Sequence, residues 1–226
     1  MYKKMQILIL GCPQIEGEFR QKFAGAHDLV FLSEYGELEP YVETAQVVFD
    51  FLLASQPDRL RVYQGQRALV VFCHTVLTTL ATLLHQTRQV PDFTLLGFNG
   101  WPGMVDRQYL EVSVWTEQDQ DRLAQACQEL GTEYLRVDDR VGLVTPRVLG
   151  MIINEAFYTC QEGTATKADI DLAMKLGTNY PFGPFEWSGK IGLGQVYHLL
   201  EAVYADTRDE RYKICPMLKK EYLRFT

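Results

Sequence analysis

No apolar run in these 226 residues approaches the roughly 20 that a membrane-spanning helix needs. There is no C-x-x-C pairing either. The five cysteines, Cys12, Cys73, Cys127, Cys160 and Cys215, are odd in number and scattered, which argues against a disulfide framework and against a zinc site, so free thiols and no metal are expected. Basic surplus is missing as well. Lys and Arg total 22 against 29 Asp and Glu, a net charge of −7, and no basic cluster stands out, so neither nucleic acid nor an anionic membrane surface is an expected partner. The opening "MYKKMQILILG" has no small-residue cleavage site after its short apolar run and reads as a first strand rather than a signal peptide, which points to a cytoplasmic protein. Repeats and low-complexity segments are absent, and 47% apolar with 23% charged residues is an ordinary globular balance.

What is present is an alternation. Six β-rich runs, at 5–11, 27–33, 45–52, 67–74, 92–98 and 109–115, are nearly continuous in apolar residues, as strands buried on both faces are. Helical patterns lie between them at 14–24, 56–64, 76–88 and 117–130, the last closed by Gly131. That order predicts an α/β fold, a truncated Rossmann-like, doubly wound and mainly parallel sheet with right-handed crossovers. Near residue 140 the character changes to helical periodicity alone, in "VLGMIINEAFYTCQEG", "TKADIDLAMKLG" and "GLGQVYHLLEAVYADTRDERY", with "TNYPFGPFEW" read as a rigid connection. Thr166 and Asp169 suggest a capping box, and Gly177 a helix end. Two domains are therefore expected, 1–139 and an all-α 140–226.

The first strand runs into "GCPQIEGEF". In a dinucleotide-binding turn the second and third glycines allow close approach to the pyrophosphate and close packing of helix on strand. Here Pro13 and Glu16 stand in their places. Proline removes an N–H donor, and a glutamate at a helix start repels the phosphate that the helix would otherwise attract.

The second half resembles the C-terminal helical domain of the 3-hydroxyacyl-CoA dehydrogenase family. The resemblance rests on Gly142 and Arg147, Asn154-Glu155-Ala156, Glu162-Gly163, Asp169-Ile170-Asp171 with Ala173-Met174-Lys175 and Gly177, Pro181, Gly183-Pro184-Phe185-Glu186, and Gly192-Leu193. It implies an NAD-binding first domain, an acyl-CoA-like substrate of fatty-acid metabolism and a homodimer joined through the helical domain. By the same resemblance Gly11 is the first fingerprint glycine, Ile15 the apolar position before the third, Glu34 the ribose-binding acid 23 residues after Gly11, and Asp50 the acid of the third strand. Only ten residues separate Glu34 from Ala45, where the family carries a helical hairpin that helps hold coenzyme A, so that hairpin is expected to be missing.

The family's catalytic pair is a histidine base and a glutamate. Aligning Gly97 and the Glu111-Val112 pair puts Asn99 on the histidine and keeps Glu111. Asparagine takes up no proton at neutral pH. Pro146 falls on a family asparagine, and His74 sits at the end of the fourth strand, where open parallel sheets bind ligands. Three readings follow: an NAD-dependent oxidoreductase with Glu34 on the ribose, His74 as replacement base and Glu111 orienting it; a non-catalytic member that binds an acyl-CoA, a nucleotide or a partner; and a crevice refitted for another ligand beside Trp101, Tyr109 and Trp115.

Overall fold

The structure, a computed structural model, describes residues 4–225. They fall into two compact units, residues 4–143 and 144–225. In the first, seven strands form one sheet in the order β2-β1-β3-β4-β5-β6-β7: β1 (Gln6–Leu10), β2 (Asp28–Leu32), β3 (Val47–Asp50), β4 (Val70–His74), β5 (Thr94–Phe98), β6 (Tyr109–Val114) and β7 (Glu133–Arg136). All neighbours are parallel except β5 and β6. Residues 99–108 join that pair without a helix, and an antiparallel pair needs no crossover.

Both faces of the sheet are covered, which is why the strands read as unbroken apolar runs. On one face Ile7, Ile9, Phe49, Phe72 and Phe98 pack under Phe19 and Phe23 of α1 (Glu16–Phe23) and Leu123 and Cys127 of α4 (Asp119–Leu130). On the other, Leu8, Leu10, Val48 and Val71 meet Leu60 and Tyr63 of a 3-10 helix (Pro57–Tyr63) and Leu83 and Leu84 of α3 (Leu80–Thr87). His27 ties the unit together. Its Nδ1 accepts from Met5 N at 3.3 Å, and Nε2 lies 3.2 Å from the Leu130 carbonyl.

Several expectations shift in detail. The helix expected at 56–64 tightens to a 3-10 helix behind Pro57. The one expected from 76 starts at Leu80, because Thr79 caps it and Asp139 accepts from Leu80 N and Ala81 N. β7 was not expected: "EYLR" is too short and too polar to stand out as a strand. The span from Ser33 to Gln46 holds only a 3-10 turn (Tyr35–Glu37) and α2 (Glu39–Val42), with no helical hairpin.

The second unit packs α6 (Lys167–Thr178), α7 (Pro184–Ile191), α8 (Leu193–Thr207) and α9 (Pro216–Phe225) around α5 (Thr145–Gln161). Thr166 caps α6 through Asp169 N as expected, but the helix passes Gly177 and closes on Asn179 at φ +56°. The segment expected to be a rigid connection is half helix, since α7 begins at Pro184. Asp171 makes that start: it accepts from Phe185 N at 2.8 Å and Glu186 N at 3.2 Å, while Glu186 accepts from Gly183 N at 2.9 Å and pairs with Lys175. A Cβ on Gly183 would lie 2.4 Å from the Asp171 Cα, against backbone that cannot rotate aside. Gly183→Ala should therefore cost about 2–4 kcal/mol in urea unfolding, whereas Gly177→Ala, with open space around it, should leave stability unchanged or slightly raised.

Candidate functional site

In an open sheet of this topology the ligand crevice lies at the carboxyl ends of the strands, where the order reverses beside β1. Gly11 makes the turn there. Its φ is +80°, its N–H donates to the Leu32 carbonyl at 2.8 Å, and a Cβ would fall 2.4 Å from the Leu52 Cγ, so only glycine fits. Ile15 is buried in the core beneath the turn. Between them Pro13 opens a 3-10 turn (Pro13–Ile15), and Glu16 becomes the first residue of α1.

The hollow beside this turn is small. Ile9, Cys12, Pro13, Glu16, Phe31 and Ser33 enclose about 80 Å³. Arg20, held by the Glu16 carboxylate, lies with its guanidinium 4.6 Å from the centre of the Phe31 ring. Burial pushes the Cys12 thiol up to about 11, so it is no thiolate at neutral pH. Glu34 is exposed at the end of β2.

Asp50 is committed elsewhere. It is fully buried and accepts four hydrogen bonds, from Tyr35 Oη at 2.8 Å, Tyr63 Oη at 2.7 Å, Leu52 N at 2.8 Å and Leu53 N at 2.9 Å. Burial pushes its carboxyl up, and these four donors pull it back. The four bonds occupy both oxygens, so the role that the structure gives Asp50 is to pin the strand ends, not to face a cofactor.

Two of the three residues expected to carry chemistry, Asn99 and Glu111, are joined directly. Asn99 Nδ2 donates to Glu111 Oε2 at 3.3 Å, the Asn99 backbone N–H meets the Glu111 carbonyl at 3.0 Å, and Asn99 Oδ1 accepts from Trp101 N at 3.1 Å. One residue along, Gly100 N donates to His74 Nδ1 at 3.0 Å. A Cβ on Gly100 would press on Phe51 and His74, so the glycine is what allows that contact. With Nδ1 accepting, the neutral imidazole carries its proton on Nε2. Burial among Phe51 and Phe98 pushes the ring down to about 4, the Phe98 carbonyl offsetting part of the shift. With Nδ1 engaged and its proton affinity lowered by burial, the ring is poorly placed to take up a proton at neutral pH.

The loop carrying Asn99 is fastened to α1. Glu18 accepts from Gly103 N at 2.7 Å and Val105 N at 3.0 Å, and Lys22 donates to the Arg107 carbonyl. Sequence reasoning did not single out Glu18, Arg20, Tyr35 or Tyr63. The Glu16 to Arg20 spacing of four is the signal that could have found Arg20. Among the described residues no group of three or more His, Cys, Asp or Glu side chains is placed to hold a metal, and no helix is long and apolar enough to cross a membrane.

His74 also gives a pH signature. Its folded value of about 4 lies below the ordinary 6.5, so the folded chain binds fewer protons in that window and His74's contribution is lost as pH falls through it. On going from neutral pH to about pH 4, wild type should lose on the order of 2–3 kcal/mol more than His74→Gln, whose amide oxygen can take the Gly100 N–H without titrating. Equal acid sensitivity of the two chains in urea titrations would contradict this.

The first unit thus defines a class: an open α/β sheet built like a dinucleotide-binding domain, accompanied by a helical unit of interlocked caps. Residues 142–223 match the model of the 3-hydroxyacyl-CoA dehydrogenase C-terminal domain, which covers the helical unit. It is 40% identical over 96 residues to the 3-hydroxyadipyl-CoA dehydrogenase of Escherichia coli, a match covering 42% of this chain and 20% of that protein. A probable 3-hydroxybutyryl-CoA dehydrogenase of Bacillus subtilis is 39% identical over 93 residues, 41% of this chain and 32% of the relative. The matched stretches therefore span a fifth to a third of these relatives. The solved (S)-3-hydroxybutyryl-CoA dehydrogenase of Ralstonia eutropha shares the fold over 99% of this chain and 95% of its own, with a TM-score of 0.76 at 18% identity.

Proposed function

We propose that this chain is an acyl-CoA-linked member of the 3-hydroxyacyl-CoA dehydrogenase family that binds a CoA thioester or a related small ligand without NAD-dependent hydride transfer. The observation that carries the reading is the Asn99–Glu111 pair: an amide, hydrogen-bonded to the carboxylate, stands where the resemblance expects a histidine base. His74, the alternative base, already accepts from Gly100 N, and burial lowers its affinity for a proton.

NAD is the cofactor that the family implies, and the residues at the crevice do not fit it. The hollow beside the turn holds only about 80 Å³. The helix start that should face a pyrophosphate presents the Glu16 carboxylate and lacks the N–H of Pro13. Assays of the wild-type chain with 3-hydroxybutyryl-CoA and NAD should give no turnover above background, while calorimetry with acetoacetyl-CoA should show saturable binding. Turnover at family-like rates sinks the proposal, and the absence of CoA-ester binding sinks its ligand half.

The same proposal includes a homodimer through the helical unit. Leu172 is 53% and Leu176 79% exposed on α6, Val148 54% on α5, and an apolar groove of about 580 Å³ runs between those helices. Such a surface suits an apolar subunit interface. Light scattering at micromolar concentration should give twice the chain mass and Leu172→Glu/Leu176→Glu a monomer. A wild-type monomer contradicts it.

A further inference from the structure

We propose that the helical unit carries a separate ligand site for a planar aromatic anion, in the pocket bounded by α5, α8 and the start of α9. The pocket measures about 640 Å³, well within the range of small-molecule sites. Tyr158 of α5, Tyr197 and Tyr204 of α8 and Tyr212 of the following turn supply its walls. Tyr197 is fixed by stacking on Tyr222 at 4.1 Å and 11°, and Tyr212 by the guanidinium groups of Arg211 at 4.8 Å and Arg147 at 5.7 Å. Rigid phenol faces of this kind receive a flat ring at little entropic cost.

Charge decides the class of ligand. Tyrosines with a glutamate could equally form a cage for an alkylammonium. Three of the four acids nearby are ion-paired, however, and the fourth, Glu201, is held by a tyrosine hydroxyl. Glu201 accepts from Tyr197 Oη at 2.6 Å, with His198 Nδ1 at 3.7 Å; Glu210 pairs with Lys213; Asp209 lies 3.1 Å from Arg211 and Asp206 4.0 Å from Arg147. By contrast, the Lys219 ammonium and the Tyr158 hydroxyl, both lining the pocket, have no ion pair or hydrogen bond among the described residues. The first turn of α9 borders the pocket from Pro216 to Lys219 and adds the positive end of its dipole. Residues 208–226 hold six basic and three acidic side chains in a chain whose net charge is −7. An anionic group held by Lys219 and Tyr158, on a ring lying against the tyrosines, satisfies every one of these features.

AMP is a suitable probe, with adenosine, inorganic phosphate and tetramethylammonium as controls. Titrated into the full chain and followed by amide chemical shifts, AMP should bind saturably below about 1 mM, with shifts clustered at Tyr158, Tyr204 and Lys219. Adenosine and phosphate should each bind at least about tenfold more weakly. Lys219→Ala should weaken AMP about tenfold, as loss of a charge-assisted contact does, and Tyr158→Phe severalfold. Lys220→Ala, one residue outside the pocket, should change nothing, and equal melting temperatures will show that the variants fold. The proposal is overturned if AMP does not saturate, if Lys219→Ala binds it as well as wild type, if tetramethylammonium binds more tightly, or if binding responds to Glu16→Gly instead, which would place AMP in the first unit.

Discussion

Asp50→Ala should destabilise the chain by about 3–5 kcal/mol, a large part of the roughly 5–15 kcal/mol that holds an ordinary domain folded. The carboxylate is fully buried and receives the hydroxyls of Tyr35 and Tyr63 and the N–H groups of Leu52 and Leu53. Deleting it leaves four donors buried beside a cavity, and each unsatisfied group costs about 1–3 kcal/mol unless water enters. Asp50→Asn should lose less, because its amide oxygen still accepts and the tyrosine hydroxyls can rotate to accept in turn. Tyr35→Phe and Tyr63→Phe should each cost about 1 kcal/mol. An unfolding free energy for Asp50→Ala within about 1 kcal/mol of wild type in urea titrations would show that these bonds carry no net weight.

Pro13→Gly, Glu16→Gly and Asn99→His should restore 3-hydroxybutyryl-CoA oxidation only in combination. Removing Glu16 takes a negative charge from the helix start and frees Arg20 from its place against Phe31, and removing Pro13 returns an N–H to the turn. A base at position 99 beside Glu111 is worth about 10²–10⁴-fold, but only if a hydride acceptor is held within reach of the substrate carbon. Asn99→His alone should therefore stay at background, and the triple variant should exceed the product of the separate gains. Wild-type turnover that survives Asn99→Ala and vanishes in His74→Ala would reverse the assignment and make His74 the base.

The fold was legible because its periodicities are strong. Strands such as "QILIL" and "VVFCH" are buried on two faces and read as continuous apolar runs. What escaped was local. β7 is four mostly exposed residues recruited by pairing with β6, and the reversal at β6 follows from the length of a loop, which periodicity does not encode. The helical half was recognisable for a reason that bears little on chemistry. Asp171, Lys175, Gly183 and Glu186 interlock the starts and ends of helices, and Asn154 holds residues 213–215 through the Lys213 carbonyl and Cys215 N. Those residues report a fold. At the site, the alignment placed Asn99 against Glu111, and the two side chains are hydrogen-bonded. The state of His74 was invisible in sequence, since it depends on a contact from Gly100, 26 residues away, and on the rings around it.

The central claim is that the first unit does not hold NAD at its fingerprint turn, and calorimetric titration of the wild-type chain with NADH tests it most directly. The account predicts no saturable heat at ligand concentrations up to about 1 mM, with binding appearing in Pro13→Gly/Glu16→Gly. Micromolar binding of NADH to the wild-type chain, lost when Gly11 is replaced by valine, would contradict it.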